Sequence, residues 1–533
     1  MIRSFLASVA ALALGAGAAA ADFTLHVLHI NDFHSRIEPI TRFDSTCSAG
    51  DDAEGKCFGG VARLATKINE LRDRLRAEGQ NVIVLDAGDQ YQGSLFYSTY
   101  KGAAEIEFMN RIGFDAMVLG NHEFDDGPEA VSELLNMAEF PVIAGNLDLS
   151  QSNLLRGRVP RSVVLDVGGR QVGIVSALTT TTTEIASPGP SVIFQDEIES
   201  LRAQVAELQA QGISKIIALT HVGFSHDLEI AAAVEGIDLV IGGHSHTYLS
   251  ASDPARAGAY PTWVSREDGT AVPVVQAYAY GKYLGHVELS FDAEGNLLHA
   301  QGDTLLIDAS VEPDPEIAAR VAELAGPIDE LKARVVAEAA GDIDGDRASC
   351  RQRECTMGNL VAEAMLDRVR DQGIQIAIQN GGGLRASIQA GPVTMGDVLT
   401  VLPFQNTLST FRAKGATILA ALENGVSQLD EGAGRFAQVA GLKYTFDPSA
   451  PVGQRVSEVM VRDGDAWVPL DPEAIYGVVS NDYVRKGGDG FRMFATEAMD
   501  AYDYGPDLAD VTAEYMARVG PYTPALDGRI TRR

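Results

Sequence analysis

Between Thr24 and about Ile307 the chain alternates short β-branched runs with helical stretches, and that alternation limits the fold more than any other feature. Residues 25–30, 82–85, 116–119, 172–176, 216–220 and 239–241 read as strands, and 61–80 and 197–211 read as helices. Strands alternating with helices pack as an α/β sheet whose faces the helices cover. In such sheets ligands collect beyond the carboxyl ends of the strands, where loops are free to vary. With 533 residues the chain is long enough for two large domains. Hydrophobic residues make up 46% and charged residues 22%, a globular balance that excludes wholesale disorder.

A break falls at Val311-Glu-Pro-Asp-Pro315. Beyond it Ile317, Val321, Leu324, Ile328 and Leu331 recur at helical spacing, and Gly326-Pro327 predicts a kink. The segment 311–339 reads as a helical linker, with an ordinary helix of either domain as the alternative. It separates a first α/β domain, 22–310, from a second, 340–533.

The strand ends carry the chemistry. Five of the ten histidines follow or end strands, among carboxylates, amides and glycines. The segments are His29-Ile-Asn-Asp32-Phe-His34, Asp86-Ala-Gly-Asp89, Gly120-Asn121-His122-Glu-Phe-Asp125, Thr220-His221 and Gly243-His244-Ser-His246. Residues two apart on an extended chain face one side, so Asp32 and His34 can reach one ion. Oxygen and imidazole donors without thiolate suit Zn, Mn, Co or Fe. Two cations about 3.5–4 Å apart need a shared carboxylate, and Asp89 is the natural bridge. Asp32 and His34 then hold the first ion, and Asn121 and His221 the second.

These segments resemble the calcineurin-like metallophosphoesterase signature, and NDFH, GDQ, GNHEFD and GGHSH resemble its 5′-nucleotidase branch. The resemblance implies an α/β/β/α sandwich and two divalent metal ions, Zn, Mn or Co. It places Asp32, His34, Asp89 and His246 at the first ion and Asp89, Asn121, His221 and His244 at the second. His246 is the outer position. The catalytic pair falls on His122 and Asp125, with Asp125 orienting the imidazole and favouring its protonated form.

The second domain reads as a substrate-binding α/β unit. Asn380-Gly-Gly-Gly-Leu-Arg385 follows a strand at 374–379; bare backbone admits a close ligand, and Arg385 offers a planar fork for phosphate or ribose oxygens. Asn380, Gly382 and Arg385 are therefore expected contacts. The resemblance adds Arg351, held in a small disulfide loop, and two rings, Phe404 and Tyr483, that sandwich a base. It also adds Asp489 of Lys486-Gly-Gly-Asp489-Gly, which binds ribose hydroxyls. The family usually carries Phe where this chain has Tyr483, which keeps the ring face and adds a hydroxyl. Stacking contributes ~1–3 kcal/mol per base and tolerates different bases. Asp342-Ile-Asp-Gly-Asp346 looks like the start of a calcium loop, but Arg347 occupies the position that needs Gly, so it reads as an acidic turn.

The chain opens with Met1-Ile-Arg3 and an apolar run to about Ala20, which predicts a secretory signal over 1–21. A periplasmic or secreted protein without a membrane anchor is the expectation. Four cysteines allow three pairings; Cys47–Cys57 and Cys350–Cys355 close the shortest loops, and a four-thiolate metal site is the alternative. The net charge of −31 argues against a nucleic-acid polymer as partner, though local cations can still hold a small phosphorylated ligand.

The leading expectation is an exported 5′-nucleotidase acting on nucleoside monophosphates and extending to diphosphates. The same core fits a 2′,3′-cyclic-nucleotide phosphodiesterase with 3′-nucleotidase activity, or a UDP-sugar or dinucleotide pyrophosphatase. A non-enzymatic nucleotide-binding protein is the third reading, and the intact ligand set and the pair His122 and Asp125 argue against it.

Overall fold

The computed structural model describes residues 22–533 apart from 43, 45, 46, 405, 465, 503 and 504. The expected signal segment, 1–21, lies outside the described residues. In the first domain Phe23–Ile30, Asn81–Asp86, Ala116–Val118 and Val142–Ile143 pair in parallel, and Tyr283–Phe291 and Leu297–Leu306 extend the sheet antiparallel. A second sheet pairs Arg170–Leu178, Ile216–His221, Leu239–Ile241 and Ala271–Val275 in parallel. Ser162–Val167 and Thr262–Ser265 flank it antiparallel.

Alternate side chains of one strand serve opposite faces. Leu25 and Val27 meet Ile217 and Leu239 of the other sheet in a core between the two layers. Leu28 and Ile30 point outward to the helix Val61–Ala77, whose Leu64, Ile68, Leu71 and Leu75 form its buried stripe. Glu197–Ala210 and Phe224–Ala233 cover the outer face of the second sheet. The architecture is the expected α/β/β/α sandwich, and it brings the carboxyl ends of both parallel sets to one edge.

The helix Pro315–Lys332 runs on through Pro327 and docks on the first domain. Its Ile317, Leu324 and Ile328 join the core of Val61–Ala77, and Arg320 grips Glu107 in a two-pronged ion pair at 2.9 and 3.0 Å. It also packs against Leu95–Tyr100 of the first domain and Met395–Val401 of the second. Val335–Ala339, within the segment read as linker, pairs antiparallel with Gly391–Thr394.

The second domain centres on a five-stranded sheet in the order Ala437–Ala440, Ile376–Asn380, Ile475–Asn481, Leu408–Lys414 and Met499–Tyr502. Thr356–Val369 and Leu508–Val519 pack on one face, and Gly415–Gly425 and Arg492–Glu497 on the other. Both local disulfides, Cys47–Cys57 and Cys350–Cys355, are formed. Among the described residues no helix is long and apolar enough to cross a membrane.

Candidate metal centre and nucleotide cleft

The loops that follow five parallel strands converge where the two sheets meet. Asp32 and His34 follow Phe23–Ile30, Asp89 follows Asn81–Asp86, Asn121 and His122 follow Ala116–Val118, His221 ends Ile216–His221, and His244 and His246 follow Leu239–Ile241. Asp32, His34 and His246 bring one donor atom each within 4.8 Å of one another, and so do Asp89, His221 and His244. His246 Nε2 lies 3.1 Å from Asp32 Oδ1, and His221 Nε2 lies 3.1 Å from Asp89 Oδ2. His34 Nε2 lies 3.9 Å from Asp89 Oδ2, so Asp89 stands between the two sets. Asn121 Oδ1 lies 2.8 Å from His244 Nδ1. The neighbouring Asp86 turns away and accepts from Gln90 and from the Gly88 N–H.

The donor set fits divalent ions. His221 Nδ1 donates to the carbonyl of Ala87 at 2.6 Å, and His34 Nδ1 to that of Tyr91 at 3.2 Å. Each Nδ1 bond fixes the tautomer that leaves an Nε2 lone pair facing the centre. His221 Nε2 is buried there without a hydrogen-bond partner. His34 Nε2 and His246 Nε2 lie 3.0 Å apart, so both rings aim a nitrogen at the same point. Burial, reinforced by nearby arginines, pulls both of those imidazoles well below their usual value, so they stand neutral, as ligands must. Burial alone would also lower His221, but Asp89 and Asp32 overcome it and push that ring up to about 10; the carboxylates call for positive charge at this point.

The backbone here is held under strain. Asp32, His34, Asp89, His244 and His246 all take left-handed conformations, with φ between 51° and 72°. Packing is equally tight: a Cβ at Gly120 would stand 2.2 Å from Asp89 Oδ1. Glu123, fully buried, was not singled out by the sequence reading. Its carboxylate accepts backbone N–H bonds from Gly120, Asp89, Gln90 and Tyr91 at 2.6 to 3.1 Å, and so ties two ligand-bearing loops together. Its acidic character inside a buried run was the available signal.

His122 Nδ1 and Asp125 Oδ2 are 2.6 Å apart, and the His122 N–H donates to Asp89 Oδ1 at 2.9 Å. Burial opposes charge on His122, but Asp125 and Asp89 outweigh it and raise its pKa. The imidazolium form therefore persists to higher pH than in free histidine.

The second domain faces this centre across a cavity of ≈ 1040 Å³. Arg351, Asn380, Gly382, Arg385, Phe404, Tyr483 and Asp489 all line it, together with His34, Asp89, Asn121, His122, Asp125, His244 and His246. Arg385 Nη2 comes within 3.3 Å of His34 Nε2, and its guanidinium lies 5.5 Å from the Phe404 ring. Phe404 stacks on His122 at 5.9 Å and 24°. Tyr483 lies flat against Gly488, where a Cβ would come within 2.4 Å of the ring. Arg351 sits in the Cys350–Cys355 loop, which Gln438 pins by donating to the carbonyls of Cys350 and Arg353 at 2.9 and 2.7 Å. Asp346 of the acidic turn caps Arg347–Cys350 by accepting from the N–H of Ala348 and Ser349. That places Arg347, one helical turn before Arg351, in the same cavity, 3.4 Å from the carbonyl of His244. Its i, i+4 spacing to Arg351 was the signal that the sequence reading passed over. Burial, and the arginines' mutual repulsion, lowers Arg347 and Arg351, the latter strongly. Three guanidinium groups so gathered suit an anion of high charge.

Two family models match the chain: calcineurin-like phosphoesterase over residues 25–248, and 5′-nucleotidase C-terminal domain over residues 335–496. A 5′-nucleotidase from Diplobatis ommata is 39% identical, with 96% of this chain and 90% of that protein covered. The chain belongs to the 5′-nucleotidase family. Within it, the 5′-nucleotidase of Homo sapiens is also 39% identical, over 97% of this chain and 93% of that one. The solved structure of a 5′-nucleotidase precursor from Thermus thermophilus superimposes with a TM-score of 0.90 at 43% identity, covering 96% of this chain and 99% of that one. Like its family, the chain is a metal-dependent phosphoesterase that takes nucleotide substrates.

Proposed function

We propose that this chain is an exported 5′-nucleotidase that releases phosphate from nucleoside 5′-monophosphates. One observation carries the reading: two clusters of metal-ligating side chains, with Asp89 between them, face three arginines and two aromatic rings across a single cavity. The first ion is assigned to Asp32, His34, Asp89 and His246, and the second to Asp89, Asn121, His221 and His244. When bound, the pair would supply Lewis acidity for in-line attack of water on phosphorus.

The remaining work falls to the chain's own side chains. Arg351 and Arg385 hold the phosphoryl oxygens and orient the ester bond. Asp125 accepts from His122 Nδ1, fixes the ring and keeps it cationic. The free edge of His122 then donates to a phosphoryl oxygen as charge grows there. Phe404 and Tyr483 take the base, and Asp489 takes the ribose hydroxyls. Export is inferred from the N-terminal apolar run and the two disulfides.

Arg347 favours a second substrate, because a third guanidinium in the cleft matches a second phosphate. Nucleoside diphosphates therefore belong to the proposed range. The test is phosphate release from AMP, ADP, UDP-glucose, 2′,3′-cyclic AMP and NAD, with Zn, Mn or Co added. AMP should lead, with ADP accepted, and a chelator should abolish turnover. Turnover of the cyclic nucleotide alone, or chelator-insensitive turnover, would overturn the proposal.

A further inference from the structure

The hydroxyl of Tyr483 supports an inference that rests on the reading of Asp489 as the acceptor for ribose hydroxyls. Asp489 is buried, with φ 52° and ψ 30° inside Gly488–Gly490, a left-handed backbone that a side chain holds only when its surroundings enforce it. Two side chains do so. Asn380 Nδ2 donates to Asp489 Oδ2 at 2.6 Å, and Asn380 is itself fixed by Asn481, which donates to its Oδ1 at 2.9 Å. The Tyr483 hydroxyl donates to Asp489 Oδ1 at 3.2 Å and accepts the Asp489 N–H at 3.1 Å. One phenol oxygen thus grips both the backbone and the carboxylate of one residue.

Backbone walls the far side of that carboxylate. A Cβ at Gly434 would stand 2.9 Å from Asp489 Oδ2, and one at Gly382 3.2 Å. Each carboxylate oxygen receives one donor from the protein and keeps acceptor capacity for the cavity, which Asp489 lines. A carboxylate repels phosphate, so in this cleft its partner is a neutral donor. Two adjacent oxygens match two adjacent hydroxyls, which is the ribose diol. A phenylalanine at 483 would stack as well, yet would strip Asp489 of a donor on Oδ1 and of the acceptor for its N–H. We propose that Tyr483 is a positioning residue that sharpens selection for the ribose diol by locking Asp489 in its left-handed turn.

The experiment compares AMP with 2′,3′-dideoxy-AMP in wild type, Tyr483→Phe, Asp489→Asn and the double variant, each loaded with Mn. Competition by adenosine and by 2′,3′-dideoxyadenosine gives a binding readout independent of turnover. Tyr483→Phe should raise KM for AMP about 10–100-fold, the effect of one lost hydrogen bond to a charged group, and leave kcat within about twofold. The preference for AMP over the dideoxy analogue should shrink by the same factor, as should the preference for adenosine over dideoxyadenosine. In the Asp489→Asn background the Tyr483→Phe change should have no further effect on either ratio. Unchanged ratios in Tyr483→Phe, or an equal loss for both substrates, would overturn the role of Tyr483. Unchanged ratios in Asp489→Asn would instead overturn the diol assignment on which it rests.

Discussion

Glu123→Gln separates a carboxylate that builds the metal centre from one that merely fills space. Oε1 of Glu123 accepts from the N–H of Gln90 and Tyr91 at 2.9 and 3.1 Å, and Oε2 from Gly120 and Asp89 at 2.6 and 3.1 Å. Glutamine keeps the shape but turns one oxygen into an NH2 group that faces two N–H donors. Two buried amides then lose their acceptor, at about 1–3 kcal/mol each, so the first domain should lose about 2–6 kcal/mol. The loss falls on the backbone that aims Asp89 and Asn121, so ion affinity should drop about 10–100-fold, as for other groups that orient ligands. Urea unfolding followed in the first domain reads the stability change, and chelator competition reads the affinity. A variant with wild-type unfolding and wild-type affinity would refute the argument, because four convergent N–H groups would then carry no energy.

Three further outcomes are expected. His122→Ala should cut kcat about 10²–10⁴-fold with ion content unchanged in elemental analysis; lost ions would make His122 a ligand, since its ring also stands within 4.8 Å of donors from His34 and Asp89. Arg347→Ala should raise KM for ADP at least about tenfold more than for AMP, an effect in scale with a lost charge-assisted pair; equal effects would remove its link to a second phosphate. Burial holds Glu105 up at about 7 against an ordinary 4.5, with a hydrogen bond from Ser35 opposing it. The folded state then binds the proton more tightly than the unfolded one, so stability should fall by up to about 3 kcal/mol as pH rises from 4.5 to 7, and Glu105→Gln should flatten that slope.

Much of the fold was legible because burial writes itself into period. The run 23–30 shows it: Leu25 and Val27 serve one face and Leu28 and Ile30 the other, as a strand between two layers must. Asp32, His34, Asp89 and His221 could be picked out because polar residues at the tips of apolar strands have few other uses. Glu123 and Arg347 escaped because their role depends on partners distant in sequence. Nothing in Glu123 itself announces the N–H groups of Gln90 and Tyr91, and Arg347 meets the His244 loop only once the domains pack. Pro327, where a kink is expected, lies inside the helix Pro315–Lys332, and Ile317 and Leu324 before it and Ile328 after it pack on the first domain.

The left-handed turns at Asp32, His34, Asp89, His244 and His246 have a consequence for the protein's lifetime. Aspartate takes such turns readily, but each costs a histidine roughly 1–2 kcal/mol, so His34, His244 and His246 together cost about 3–6 kcal/mol, a large part of a domain's stability. Cation binding at the proposed sites would offset that cost through mass action, in proportion to the logarithm of free cation. With the ions held as proposed, demetallation and unfolding should be coupled, and on the proposed export route a chain in metal-poor surroundings should be open to proteases for as long as it waits to be loaded.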